Sequence, residues 1–159
     1  MKKGFFITIL LISEMLLLAA CNASEPEGIV VEDVRANMTL PFDTGSFWMV
    51  ITNHSDVDDA LVGVQFDGCG AVELHDMLMD GDVMVMRPVE GQAIPIPAGE
   101  TVELKPGGLH VMCLQKEAAL ELDTAVTLNL QFANAGTISV EGVVVEPTMG
   151  DEMDHEHGG

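Results

Sequence analysis

Basic side chains are scarce in this sequence. Its 159 residues include six lysines and arginines against 26 aspartates and glutamates, for a formal net charge of −20. A protein that binds nucleic acid needs a basic surface to contact phosphates, so nucleic acid is disfavoured as a partner. A strongly negative surface instead attracts cations and keeps the protein in solution.

Aromatic residues and enzyme motifs are also sparse. The chain has one Trp, six Phe and no Tyr, so its core must rely on Val, Leu and Ile. It contains no Gly-rich phosphate loop, no Cys-x-x-Cys pair, no calcium-binding Asp-x-Asp-x-Asp-Gly loop and no recognisable Ser/His/Asp arrangement. We therefore do not expect an enzyme.

The N-terminus predicts export and lipidation. Two lysines precede an apolar run over residues 5–20, which is short for a transmembrane span and is interrupted by Ser13 and Glu14. Leu18-Ala19-Ala20-Cys21 has the form of a bacterial lipobox. We expect residues 1–20 to be a signal peptide, Cys21 to be lipidated and residues 21–28 to be a linker. This predicts an extracytoplasmic, membrane-anchored lipoprotein, with a simple secretory signal as the alternative.

Residues 29–147 read as one all-β domain. Short apolar runs alternate with turn signals such as Asp67-Gly68 and Pro106-Gly107-Gly108. Strand-length runs at this spacing predict a sandwich or barrel. The apolar runs lie near 29–38, 46–53, 60–66, 71–79, 82–89, 101–104, 109–115, 125–132 and 137–145.

Two His/Met sets suggest a soft-metal site. His110 and Met112 alternate along one strand, so both side chains point the same way. A second pair requires a hairpin over residues 71–89. A type I′ turn at Asp80-Gly81 would place His75 opposite Met86, and Met77 opposite Met84. Cross-strand neighbours are close enough to share an ion.

The alternative is that these methionines fill a core, as Met often does. The other face of the hairpin, however, carries the branched residues expected of a buried sheet face. These are Val72, Leu74, Leu78, Val83 and Val85. Imidazole and thioether ligands are uncharged and soft, which favours Cu(I) over Zn(II), Mg(II) or Ca(II).

At these residues the chain resembles the PCu(A)C-type periplasmic copper chaperones. Their signature is a His, ten residues, a Met, twenty-one residues and then His-x-Met. His75 and Met86 keep the first spacing, but twenty-three residues separate Met86 from His110. We assign the surplus to a longer loop near residues 91–95. The neighbouring matches are residues 72–75, 83–89, 96–99 and 104–108.

The resemblance implies a fold, a site and a role. The fold would be a cupredoxin-like Greek-key β-sandwich or barrel of about eight to nine strands. His75, Met86, His110 and Met112 would bind Cu(I) for delivery to an acceptor. The acceptor would be the CuA centre in subunit II of cytochrome c oxidase, or another copper chaperone. A cupredoxin-type electron carrier and a metal-free interaction module remain as alternatives.

Two cysteines and the C-terminal tail leave further choices open. Cys113 should face away from His110 and Met112, and it could form a disulfide with Cys69 or remain a buried thiol. Residues 148–159 form a polar tail in which His155 and His157 could bind Cu(II), with a solubilising terminus as the alternative. Met77 and Met84 are further candidates for a secondary metal site.

Overall fold

The computed structural model describes residues 27–147, and this part of the chain is all-β. Ten strands are present, one more than the nine apolar runs that the sequence shows. The strands are β1 Ile29–Asn37, β2 Thr44–Asn53, β3 Asp59–Gln65, β4 Cys69–Asp80, β5 Val83–Pro88, β6 Ile94–Ile96, β7 Thr101–Leu104, β8 His110–Lys116, β9 Ala125–Phe132 and β10 Gly136–Val144. The predicted fold class is confirmed.

The strands form one continuous hydrogen-bonded sheet in the order β5-β4-β8-β2-β1-β10-β9-β3-β6, with β7 also paired to β2. The pairing of β1 with β10 is parallel. Strand β2 divides its partners, because residues 44–47 pair with β8 and residues 49–52 pair with β7. This division allows the sheet to curl over a single core.

Aliphatic side chains dominate that core. Alternate residues of β2 and β9 are fully buried, as expected for strands with one face inward. The rings of Phe47 and Phe66 meet edge to face at 5.3 Å between centroids. The largest fully buried side chains are Phe47, Met38, Met49, Ile51, Leu61, Leu74, Ile94, Ile96, Leu104, Leu128, Leu130 and Val111.

A disulfide joins β4 to β8. The Cα atoms of Cys69 and Cys113 lie 5.6 Å apart, within the range that a disulfide spans. Cys113 is fully buried on the core side of β8. Its side chain therefore points away from the face that carries His110 and Met112.

The segment between β5 and β7 differs from the predicted loop. It contains a 3₁₀ turn at Glu90–Gln92 and the short strand β6, which pairs with β3. Ile94 and Ile96 are buried, whereas Pro95 between them is exposed. Proline is tolerated here because β6 is an edge strand, and the Ile-Pro-Ile alternation supplies the core residues. Within residues 27–147 no helix has the length and apolarity to cross a membrane.

Candidate metal site

Strands β4 and β8 place the two histidines side by side. His75 and His110 are direct partners in the antiparallel pairing of these strands. Their rings meet edge to face, with centroids 5.9 Å apart and planes inclined at 62°. His75 and His110 are 8% and 5% exposed, so both imidazoles are largely shielded from solvent.

The hairpin of β4 and β5 has a different register from the predicted one. Asp80 pairs with Val83, so the two-residue turn is Gly81-Asp82 and the prediction of Asp80-Gly81 was wrong. Of these turn residues only Gly81 has a positive φ, 65°. A glycine at the first central position is typical of a type II′ turn, whereas type I′ would need positive φ at both positions.

The new register changes the partners but keeps the faces. His75 lies opposite Pro88 and Met77 opposite Met86, so neither predicted pair is directly opposed. Each partner has shifted by two residues, and strand side chains alternate with a period of two. His75 and Met86 therefore remain on one face as diagonal neighbours, which long side chains can bridge.

A cleft of about 360 Å³ opens beside the histidines. Three of the predicted ligands, Met86, His110 and Met112, contribute to its lining. Met77 and Trp48 line the same cleft. His75 is not among the lining residues, and its ring contacts the site through His110.

The ring orientation of His110 is fixed by a backbone hydrogen bond. Its Nδ1–H donates a 2.8 Å hydrogen bond to the carbonyl oxygen of Gly108. Burial lowers the pKa of this imidazole, and the neighbouring His75 lowers it further. The ring is thus neutral at pH 7, with the lone pair of Nε2 free. In metal-binding histidines, the ring nitrogen that does not bind the metal usually donates a hydrogen bond to a carboxylate, a backbone carbonyl or water.

His75 has an unpaired nitrogen. Its Nε2–H donates to a carboxylate oxygen of Glu73 at 2.8 Å, while Nδ1 is buried with no hydrogen-bond partner. A buried unpaired polar atom costs about 1–3 kcal/mol. Coordination of a metal ion by Nδ1 would relieve that cost, so the unpaired nitrogen of His75 is compatible with a metal ligand.

A glutamine supports the strand at this point. The side chain of Gln92 accepts a hydrogen bond from the Leu74 N–H at 2.7 Å and donates to the Leu74 carbonyl at 3.0 Å. It thereby satisfies both backbone groups of the residue before His75. Gln92 has a positive φ of 51°. It belongs to the longer segment, near residues 91–95, that lies between Met86 and His110.

The hairpin projects beyond the core. Leu78 and Val83, which we predicted to be buried, are 46% and 63% exposed. Leu74 does lie in the core, and Val72 packs against it. The prediction was wrong for the outer residues because strands β4 and β5 extend past the sheet that would cover them.

Four methionines share the face of this hairpin that carries His75. Met77 lies opposite Met86, and Met79 lies opposite Met84. We call these four residues the methionine ladder. Met79, Met84 and Met86 are 62%, 47% and 45% exposed. Asp80 and Arg87 form an ion pair on the opposite face, so the ladder itself carries no charge.

Three residues of this region, Glu73, Met79 and Gln92, were not predicted from the sequence to belong to the site. Glu73 lies two residues before His75, and Met79 lies two residues after Met77. Strand alternation alone could have placed both on the face of the site. Gln92 gave no comparable signal, because its role depends on the path of a loop. His155 and His157 lie outside the described residues. So does Cys21.

The donor set is soft in character. Among residues 27–147 there is no group of three or more His, Cys, Asp or Glu side chains placed to hold a metal ion. Met86 and Met112 line the cleft together with His110, so thioethers stand beside an imidazole there. This combination suits a soft ion such as Cu(I).

A family comparison matches residues 29–145 to a family described as "Putative lipoprotein LpqE-like". The match covers most of the chain. The chain belongs to the LpqE-like family. A curated relative, "Putative lipoprotein Lxx21020" of Leifsonia xyli subsp. xyli, is 29% identical over 80 residues. That alignment covers 50% of this chain and 48% of the relative, about half of its length.

Solved structures share the fold. The apo PCuAC domain from PmoF1 superposes with a TM-score of 0.64 at 22% identity, covering 77% of this chain and 98% of that domain. The Cu(I) form of DR1885 from Deinococcus radiodurans gives 0.58 at 25% identity, covering 80% and 83%. The family member described here thus has the architecture of a PCuAC domain, as the sequence motif predicted.

Proposed function

We propose that this protein is an extracytoplasmic copper chaperone that holds Cu(I) through His75, Met86, His110 and Met112. The observation that carries the proposal is the gathering of three of these donors in one cleft, with the fourth packed edge to face on His110. Similarity to PCuAC domains, one solved with Cu(I), supports it.

Uncharged ligands suit a carrier that must release its ion. Neutral imidazole and thioether donors can be replaced one at a time by donors of an acceptor, and no charge is separated at any step. Met86 is 45% exposed, which gives an incoming ligand access to the copper. The ion remains Cu(I) throughout, because the transfer is an exchange of ligands.

Competition with a chromophoric Cu(I) chelator tests the ligand set. We expect His75→Ala, Met86→Ala, His110→Ala and Met112→Ala each to weaken binding at least about tenfold, equivalent to about 1.4 kcal/mol. His54→Ala is the matched control, since His54 is exposed directly after strand β2. Unchanged affinity in all four ligand variants would refute the site.

Within residues 27–147, the rival electron-transfer function has no free Cys thiolate to serve as a ligand. A blue-copper site uses two His, a Cys thiolate and a weak axial Met. Cys113 is instead joined to Cys69 on the core side of β8. An intense blue colour in the Cu(II) protein would favour the electron carrier. Purified protein free of bound copper, and unable to take it up, would favour a metal-free module.

We also propose that Cys21 carries the lipid anchor, with the domain outside the cytoplasm. The lipoprotein description of the family and of the Leifsonia relative supports this. A palmitate analogue should label the wild-type protein but not Cys21→Ser. Absence of label in the wild type would contradict the anchor. For the acceptor, the CuA centre of cytochrome c oxidase remains our proposal, and another copper chaperone is the alternative.

A further inference from the structure

The methionine ladder extends past the proposed ligands. Met86 belongs both to the proposed copper site and to the ladder, where it faces Met77. The next pair outward, Met79 and Met84, lies two residues nearer the turn on the same face. At about 3.4 Å of rise per residue, successive pairs are separated by about 7 Å.

Each ladder pair can place two sulfur atoms on one ion. Directly opposed residues have Cβ atoms about 4.5–5.5 Å apart, and the flexible Met side chain allows the two thioethers to converge. In the paired positions from residue 76 to residue 87, the charged residues Asp76, Asp80 and Arg87 lie on the other face, and Asp82 lies in the turn. The ladder therefore offers soft donors with no carboxylate among them.

Exposure of these residues is costly if they have no role. Burying a methionine is worth about 1.5–3 kcal/mol, and Met79 and Met84 forgo much of it at 62% and 47% exposure. Polar residues would serve as well on a solvated hairpin. Two opposed thioethers at the tip of a projecting hairpin are, by contrast, well placed to meet a soft ion first.

We propose that Met79 and Met84 form an outer site for Cu(I), from which the ion passes along the ladder to the inner ligands. This inference rests on the proposed function. Transfer exchanges thioether bonds, with Met77 or Met86 binding copper as Met79 or Met84 leaves. Copper stays monovalent, and no proton moves because thioethers carry none.

The experiment uses the mature full-length protein with ¹³C-labelled methionine methyl groups, titrated with Ag(I) as a redox-inert soft ion and then anaerobically with Cu(I). The first equivalent should shift the Met86 and Met112 methyl signals. The second should shift those of Met79 and Met84. Met79→Leu/Met84→Leu keeps the apolar volume without sulfur, and it should abolish hairpin binding of the second equivalent.

A kinetic measurement complements the titration. Transfer of Cu(I) from a chelator complex to the apoprotein should be several-fold slower in Met79→Leu/Met84→Leu than in the wild type. The matched control is Leu78→Ala/Val83→Ala, which changes exposed apolar residues on the other hairpin face and should leave the transfer rate unaltered.

The outcomes separate the two proposals. Methyl signals of Met79 and Met84 that stay fixed while the second ion binds the tail, or does not bind, would overturn the outer site alone. Equal transfer rates in the wild type and the leucine variant would overturn it as well. A first equivalent that leaves Met86 and Met112 unshifted would instead refute the proposed function.

Discussion

At the scale of single residues, Glu73 has the most informative position near the proposed copper ligands. It stands opposite Met112 and accepts the Nε2–H of His75. This leaves Nδ1 as the nitrogen with an available lone pair. Carboxylates that fix a metal-binding histidine in this way commonly contribute 10–100-fold to metal affinity.

We therefore expect Glu73→Ala to weaken Cu(I) binding about tenfold, because the His75 ring loses its fixed orientation. Glu73→Gln should retain most of the affinity, since the amide oxygen can still accept the hydrogen bond. Glu103→Ala removes the same charge from strand β7 and serves as the control. Equal losses in the Ala and Gln variants would show that charge, and not orientation, is what Glu73 contributes.

At the scale of elements, the sequence could predict strands and faces but not register. The strand pattern placed His75, Met77, Met84 and Met86 on one face, and the structure agrees because a shift by two residues preserves the alternation. The exact turn depended on which residues adopt positive φ, and both Asp80-Gly81 and Gly81-Asp82 were compatible with the chain. Burial of Leu78 depended on the lengths of the neighbouring strands, which the residues around Leu78 do not predict.

The connection between β9 and β10 provides a pH-dependent stability test. The carboxylate of Asp59 accepts hydrogen bonds from the backbone N–H groups of Ala60, Asn134 and Ala135 at 2.7–2.9 Å. Burial alone would raise the pKa of Asp59, but these hydrogen bonds outweigh it and hold the pKa below its usual 3.8. The ionised form therefore stabilises the folded state.

We expect Asp59→Asn to reduce the free energy of unfolding by about 1 kcal/mol at pH 7. Because the folded pKa is the lower one, this contribution is complete above pH 3.8 and is lost as the pH falls through the folded value. Urea unfolding at pH 7, 5 and 3 measures it. A difference between wild type and variant that persists undiminished at pH 3 and below would contradict this account.

At the scale of the whole molecule, the disulfide is the strongest single constraint on the unfolded chain. It closes a loop with a sequence separation of 44 residues. A loop of this size is worth about 4 kcal/mol in the chain-entropy model, and typical measured values are about 2–4 kcal/mol.

Reduction of the wild-type protein should therefore lower its free energy of unfolding by about 2–4 kcal/mol, measured in guanidinium chloride with and without dithiothreitol. Cys69→Ala/Cys113→Ala should show the lower stability in both conditions and no response to the reductant. A reductant effect of equal size in the double variant would mean that another process is responsible.

The disulfide also has a geometric consequence for the proposed copper site. His75, Met86, His110 and Met112 all lie between Cys69 and Cys113 in the chain, so the cystine ties every proposed ligand into one ring of polypeptide. Thermal opening of distant strands, or a proteolytic cut outside this ring, would leave the ligands attached to one another. Copper would then be carried by a covalently closed module, with the remaining strands serving as its support.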